Sequence, residues 1–154
     1  MQKLALHPEY SYRLEGCKAI SDYIHGGNGI VTLKSPSGKH RTYQYRYPQE
    51  KDKFDDGTMF VYALCGYSEW QYVGMVRYDR FRLTHASRFS AEHEITKGAD
   101  YLTKMMTNPI LAAGPMVVYH EGVCCVCGRP LTTPRSIRRG IGPKCRRKIV
   151  SDAK

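Results

Sequence analysis

IVTLKSPSGKHRTYQYRY, residues 30–47, decides the fold. In its second half Tyr43, Tyr45 and Tyr47 alternate with Thr42, Gln44 and Arg46, the period of two expected of a strand with one face buried. Residues 30–34 are similarly rich in β-formers. Between the two runs lies Ser35-Pro36-Ser37-Gly38, whose residue types favour a turn, so the stretch reads as a hairpin. A polar loop at 48–57 leads to further strand-like runs at 58–65 and 70–78, with the turn Gly66-Tyr67-Ser68-Glu69 between them and a fifth run at 81–84. Links this short join antiparallel neighbours, which predicts a meander.

On the N-terminal side, Tyr10, Leu14, Cys17, Ile20 and Ile24 recur at three- and four-residue spacings, predicting a helix over 8–25 that Gly26-Gly27 stops. On the C-terminal side, Ser90 suits an N-cap for a helix running to about residue 107. Ile95, Ala99, Leu102 and Met106 would form its inward face, Glu92 and Glu94 lie in its first turn, and Asn108-Pro109 ends it. Residues 116–119 read as a short strand leading to His120. The expected class is α+β: an N-terminal helix, an antiparallel β-meander, a second helix and a small C-terminal zinc-ribbon-like module. The division falls near Gly114-Pro115, into a body of 1–114 and a basic zinc-binding module of 115–154.

The chain's 154 residues, 42% of them apolar, suit one main core. The opening MQKLALHPEYSY has too short an apolar run for a signal peptide. The longest apolar stretch, 110–119, is broken by Gly114 and Pro115 and is about half a membrane span. A soluble, unexported protein with no membrane partner is expected. Of six cysteines, Cys124, Cys125 and Cys127 crowd together while Cys17 and Cys65 stand apart, which in a reducing compartment points to a metal site rather than disulfides.

The segment HEGVCCVCGRPLTTPRSIRRGIGPKC, residues 120–145, contains His120-x3-Cys124-x2-Cys127-x17-Cys145. Cys-x2-Cys lets two thiolates reach one ion, and the following Gly128 lets the backbone fold beneath it. Cys125 and Cys127 would point apart in extended chain, so Cys124 is the preferred first ligand, with Cys125 as the alternative. Cys145 and His120 are the nearest soft groups to complete a four-coordinate site, predicting a single structural Zn2+ with no open position.

The net charge of +10 is concentrated at this end. Residues 121–154 carry nine Lys/Arg against Glu121 and Asp152, which leaves +7 there. Such asymmetry suits a polyanion. Gly140-Ile141-Gly142-Pro143 and a helix from about Lys144 could offer amides and a positive helix end to phosphate, and over about ten residues the phrase resembles the hairpin of helix-hairpin-helix motifs. In that helix Cys145 and Ile149 would face inward and Arg146, Arg147 and Lys148 outward. The candidate nucleic-acid residues are Arg129, Arg135, Arg138, Arg139, Gly140, Gly142, Lys144, Arg146, Arg147 and Lys148.

The string CGRPLTTPRSIRRGIGPKC, preceded by HEG and the knuckle, resembles an uncharacterised zinc-ribbon-like domain of phage, prophage and actinobacterial proteins. His120, Cys124, Cys127, Gly128, Arg129, Leu131, Thr132, Pro134, Ser136, Ile137, Gly140, Ile141, Gly142, Pro143 and Cys145 carry the likeness over about thirty residues. It implies a metal, an early or accessory phage gene, and hence the cytoplasm of a bacterial host cell; it implies no activity. Arg138, Arg139, Arg146 and Arg147 make this chain more basic than the pattern, which tilts it towards nucleic acid.

No enzyme is expected. His93-Glu94 would begin a zincin helix, but Lys97 stands where the second histidine belongs. There is no phosphate-binding Gly-rich loop, no Gly-x-Ser-x-Gly, and no Asp-His pair by the knuckle. Tyr43, Tyr45 and Tyr47, with Arg41 in register, would suit a base-stacking platform, yet such alternation more often marks a buried sheet face, and Phe60, Trp70 and Tyr72 favour the core reading. The leading expectation is a phage accessory protein that binds nucleic acid, of a type left open. The alternative is a protein-binding inhibitor acting on an acidic host defence or replication protein, and the third a nuclease-type enzyme. No small-molecule substrate is evident.

Overall fold

The expected hairpin lies inside a six-stranded antiparallel sheet in the computed structural model, which describes residues 12–49 and 57–152. The elements run α1 (Gly16–Ile24), β1 (Ile30–Lys34), β2 (His40–Arg46), β3 (Met59–Cys65), β4 (Glu69–Arg77), β5 (Arg80–Arg82), α2 (Glu94–Met105), α3 (Pro109–Ala112), β6 (Val117–His120), α4 (Pro134–Arg139) and α5 (Pro143–Asp152). This is the mixed α+β class expected. The first five strands form the meander, and β6 returns to the free edge of β1, giving the order β5-β4-β3-β2-β1-β6. Val31 pairs with His120 and Leu33 with Val118; an apolar edge strand that would otherwise expose its backbone is thereby closed. Among the described residues no helix is long and apolar enough to cross a membrane.

The period-two reading of residues 42–47 holds for the inner face. Tyr43 and Tyr45 are fully buried and their hydroxyls reach α2: Tyr43 donates to the Ile95 carbonyl (2.8 Å), and Tyr45 bonds the Thr103 hydroxyl (2.9 Å). Burying each such side chain contributes about 1.5–3 kcal/mol, and the bonds keep the phenols from being orphaned in the core. Ile95, Ala99, Leu102 and Met106 are all buried, as their spacing predicts. Tyr47 instead lies partly exposed at the strand's end, donating to the His25 carbonyl.

Both helix starts differ from the sequence reading. The cap of α2 is His93, whose Nδ1 accepts from the Ile95 amide at 3.1 Å, because the chain first makes a turn in which the His93 amide donates to Ser90. Helix α1 begins at Gly16, and the part of the expected helix at 8–11 lies outside the described residues.

The α2–sheet contact is close at Gly98, where an added Cβ would strike the Tyr43 hydroxyl and lie 3.3 Å from its Cζ. Gly98→Ala should therefore destabilise by about 1–3 kcal/mol despite alanine's better helix propensity. In a Tyr43→Phe background the penalty should shrink, a coupling that a double-mutant cycle of denaturant midpoints measures.

Candidate metal centre and basic face

Three of the four sequence-predicted ligands meet. The Sγ atoms of Cys124, Cys127 and Cys145 lie within 4.8 Å of one another. The knuckle is closed by the Gly128 amide donating to the Cys124 carbonyl (2.9 Å) and the Cys124 amide to the Arg129 carbonyl (2.8 Å). Gly128 sits at φ +76°, the left-handed conformation its position requires. Cys145 comes from the first turn of α5, carried there by α4 and the Gly140-Ile141-Gly142-Pro143 turn.

The donor set suits a thiophilic cation, and the cluster can hold a metal ion. Three sulfurs on one tetrahedral centre lie roughly 3.8 Å apart, within the span these thiols occupy. Burial raises the Cys124 thiol, but amides of Cys127, Gly142 and Val126 outweigh it and leave the group at about 7; the Gly142 amide lies 3.3 Å from that sulfur. Cys145 is pushed up to about 11 by desolvation and by the neighbouring Cys127 and Cys124 thiols. Three adjacent thiolates repel one another, and a bound cation supplies the missing countercharge.

His120 does not join them. It is buried between Tyr23, stacked at 5.2 Å, and Tyr12, edge-on at 5.4 Å. Its Nδ1 accepts from the Gly122 amide (3.1 Å), so its Nε2 carries the proton and donates to the Ile137 carbonyl (2.5 Å). Neither ring nitrogen keeps a lone pair for a metal. The spacing from His120 to Cys124 is that of a ligand, but β6 pairing turns the imidazole into the core.

Cys125 is the packing thiol of the pair. It belongs to the main core cluster, and burial pushes it up to about 12. Its carbonyl accepts from Asn28 (2.9 Å) and its amide donates to Gly140 (3.0 Å). Together with Tyr23 donating to the Val123 carbonyl and Asn28 Nδ2 to Val126, these bonds seat the knuckle on the α1–β1 corner.

The folded state keeps His120 neutral, with burial lowering it to about 4 against the pull of the Ile137 carbonyl. The unfolded chain binds that proton near the ordinary value of 6.5, so this contribution is complete above that pH and is lost as pH falls towards 4. The full loss is about 3 kcal/mol. The His120 ring resonances should show no titration above about pH 5; a midpoint near 6.5 would mean that the ring is not enclosed as described.

The basic residues divide by what the fold does with them. Arg129, Arg135, Arg138, Arg139, Lys144, Arg146, Arg147 and Lys148 are all exposed, and no carboxylate pairs with them among the described residues. Arg139 is held below its ordinary range by desolvation and then by the like charges of Arg146, Arg135 and Arg138. Gly140 and Gly142, expected to offer amides to phosphate, have theirs engaged: Gly140 caps α4 through Ser136 and Ile137, and Gly142 faces the Cys124 sulfur. Ile149 is half exposed rather than inward.

Helix α4 escaped the sequence reading although its signals are present. Thr133 is the N-cap, its Oγ1 accepting from Ser136, Pro134 occupies the first turn, and Gly140 at φ +71° ends the helix. With α5 it frames a cavity of about 260 Å³ beside the three sulfurs, into which Thr132, Ser136 and Lys144 face. A larger cavity of about 760 Å³ lies between the β1–β2 hairpin and α2, where Glu94 pairs with both Lys39 and Arg41 at 3.7 Å.

No curated protein and no solved structure matches the chain. Residues 114–150, which hold β6, the three cysteines, α4 and most of α5, are similar to a family of unknown function, DUF6011.

Proposed function

We propose that this chain is a phage or prophage accessory protein that binds nucleic acid through the basic face of α4 and α5. One zinc ion, held by Cys124, Cys127 and Cys145, would lock those helices in place. The single observation behind the reading is the Arg135, Arg138, Arg139 and Arg146 group, which brings like charges together with no carboxylate among the described residues to offset them. Folding gains nothing from such repulsion, so a polyanionic ligand is its natural counterpart. The zinc assignment rests on three thiolates with an amide on one sulfur. The phage setting rests on the sequence signature.

The reading departs from a closed four-ligand site, because His120 is committed to the core. A tetrahedral ion would take its fourth ligand from the cavity side.

Binding of the metal-loaded protein to labelled oligonucleotides across a salt series is the test, alongside Arg138/Arg139/Arg146/Arg147→Ala. The affinity should fall by about 100-fold or more in the variant. The slope of log K against log salt should flatten by about 0.7–0.9 per lost phosphate contact. Unchanged binding and slope in the variant would sink the proposal and favour a protein partner for the same face.

A further inference from the structure

An antiparallel sheet with one face on the core is expected to turn polar residues outward on the other. Here the outward positions of β3 and β4 are Phe60, Tyr62, Leu64, Trp70, Tyr72 and Met75. The register places Tyr62 opposite Tyr72, Leu64 opposite Trp70 and Phe60 opposite Met75. A bulge beside Val61 and Tyr62 makes this possible: it tucks Val73 into the core and leaves both Tyr72 and Met75 facing out. All six side chains are half-buried rather than covered. Helix α2 packs on the opposite face, under Tyr43 and Tyr45.

The rings are ordered. Tyr72 stands edge-on to both Phe60 (6.0 Å) and Tyr62 (5.8 Å). Arginines flank them in register, Arg46 opposite Phe60 and Arg82 opposite Met75, and the Arg46 guanidinium lies 5.1 Å over the Tyr62 ring. Of the strand residues only Glu69 is a carboxylate, exposed at the start of β4 in the register opposite Cys65 and so off the row that holds Trp70 and Tyr72; Glu121, just past β6, accepts from the Thr32 hydroxyl at the far edge. A sheet face turned only to solvent would carry short polar and charged side chains at these positions. Ordered π-faces interleaved with guanidinia instead match the two needs of an unpaired strand, stacking for its bases and cations for its phosphates.

We infer that the outer face of β3 and β4 is a stacking platform for single-stranded nucleic acid, with Tyr62, Trp70 and Tyr72 receiving bases and Arg46 and Arg82 the backbone. The inference rests on the nucleic-acid reading above and narrows it to unpaired strands; duplex, whose bases are already stacked, meets only the basic face of α4 and α5.

Trp70 is the only tryptophan of the chain, so its fluorescence reports this face alone. Titration of the full chain with an oligothymidylate of about twelve nucleotides should quench it saturably, whereas a duplex of the same length should bind without quenching. Tyr72→Ala and Tyr62→Ala should each weaken single-strand binding roughly tenfold or more and leave duplex binding unchanged. Tyr72→Leu, which keeps apolar packing, should weaken it like Ala, while Tyr72→Phe should retain it. Equal affinity for both forms, insensitive to these tyrosines but lost in the four-arginine variant, would overturn this inference and leave the basic-face reading standing. Binding of neither form overturns both. Should Tyr72→Leu alter the sedimentation-derived oligomeric state while oligonucleotide affinity stays fixed, the face is covered by a second copy and the inference fails.

Discussion

Cys145→Ser and Cys127→Ser are each expected to abolish metal binding at the cluster, with zinc as the proposed ion, while His120→Gln retains it. Removing one of three thiolates takes away both a ligand and the charge that holds the cation, and in small metal modules the binding energy is largely folding energy, on the order of 10 kcal/mol. The α4–α5 segment should lose protection from proteolysis in both cysteine variants. His120→Gln should instead cost about 2–4 kcal/mol of overall stability, because it breaks the Tyr23 and Tyr12 ring contacts and leaves the Gly122 amide and Ile137 carbonyl poorly matched. Metal content by atomic absorption and melting by circular dichroism separate the two effects. Loss of zinc in His120→Gln, with retention in Cys145→Ser, would reverse the ligand assignment. Cys125→Ser should keep its zinc, since that thiol packs in the core rather than in the cluster.

Gly140→Ala should be strongly damaging although it lies outside the cluster. Gly140 closes α4 in the left-handed conformation at φ +71°, which costs an L-residue about 1–2 kcal/mol. An added Cβ would also lie 2.6 Å from Tyr23 Cδ1, backed by the His120 ring at 3.8 Å. Tyr23 cannot retreat freely, because its hydroxyl donates to Val123 and its ring is stacked on His120. Overpacking of this kind adds about 1–3 kcal/mol, so a total loss of about 2–5 kcal/mol is expected in the denaturant midpoint. Because the Gly140 carbonyl also accepts from Cys125, the damage should spread to the seating of the knuckle, and the proposed nucleic-acid binding should weaken although no arginine has changed. A variant that melts and binds like the parent would show that the α4 turn is not tied to the α1–β1 corner.

The strands and the apolar face of α2 were legible because their signal is local. Tyr43 and Tyr45 alternate with polar neighbours, and Ile95, Ala99 and Leu102 repeat at helical spacing, so periodicity alone sorts inward from outward. The knuckle was legible for a similar reason, since Cys124-x2-Cys127-Gly128 is a turn whose geometry lies within five residues. Cys145 is separated from Cys127 by seventeen residues and is assigned by chemistry rather than by reach; α4 and α5 bring it back. His120 reads as a ligand from sequence because ligand spacing and core spacing coincide there. Only the pairing of β6 with β1, residues about ninety apart, commits both ring nitrogens to backbone partners.

The same division holds on the sheet. Phe60, Trp70 and Tyr72 read as core from their residue type, yet the register and the bulge turn them to the face opposite Tyr43 and Tyr45. Sequence alone determined the α+β class, the antiparallel meander, the Cys124–Cys127 knuckle and the concentration of positive charge at one end, all consequences of composition and short-range spacing. Tertiary structure decided that His120 belongs to the core, that the Gly140 and Gly142 amides serve the fold rather than a phosphate, and that the outward aromatics share one surface. Those outcomes depend on which distant segments compete for the same hydrogen bonds and the same buried volume, and no local pattern encodes that competition.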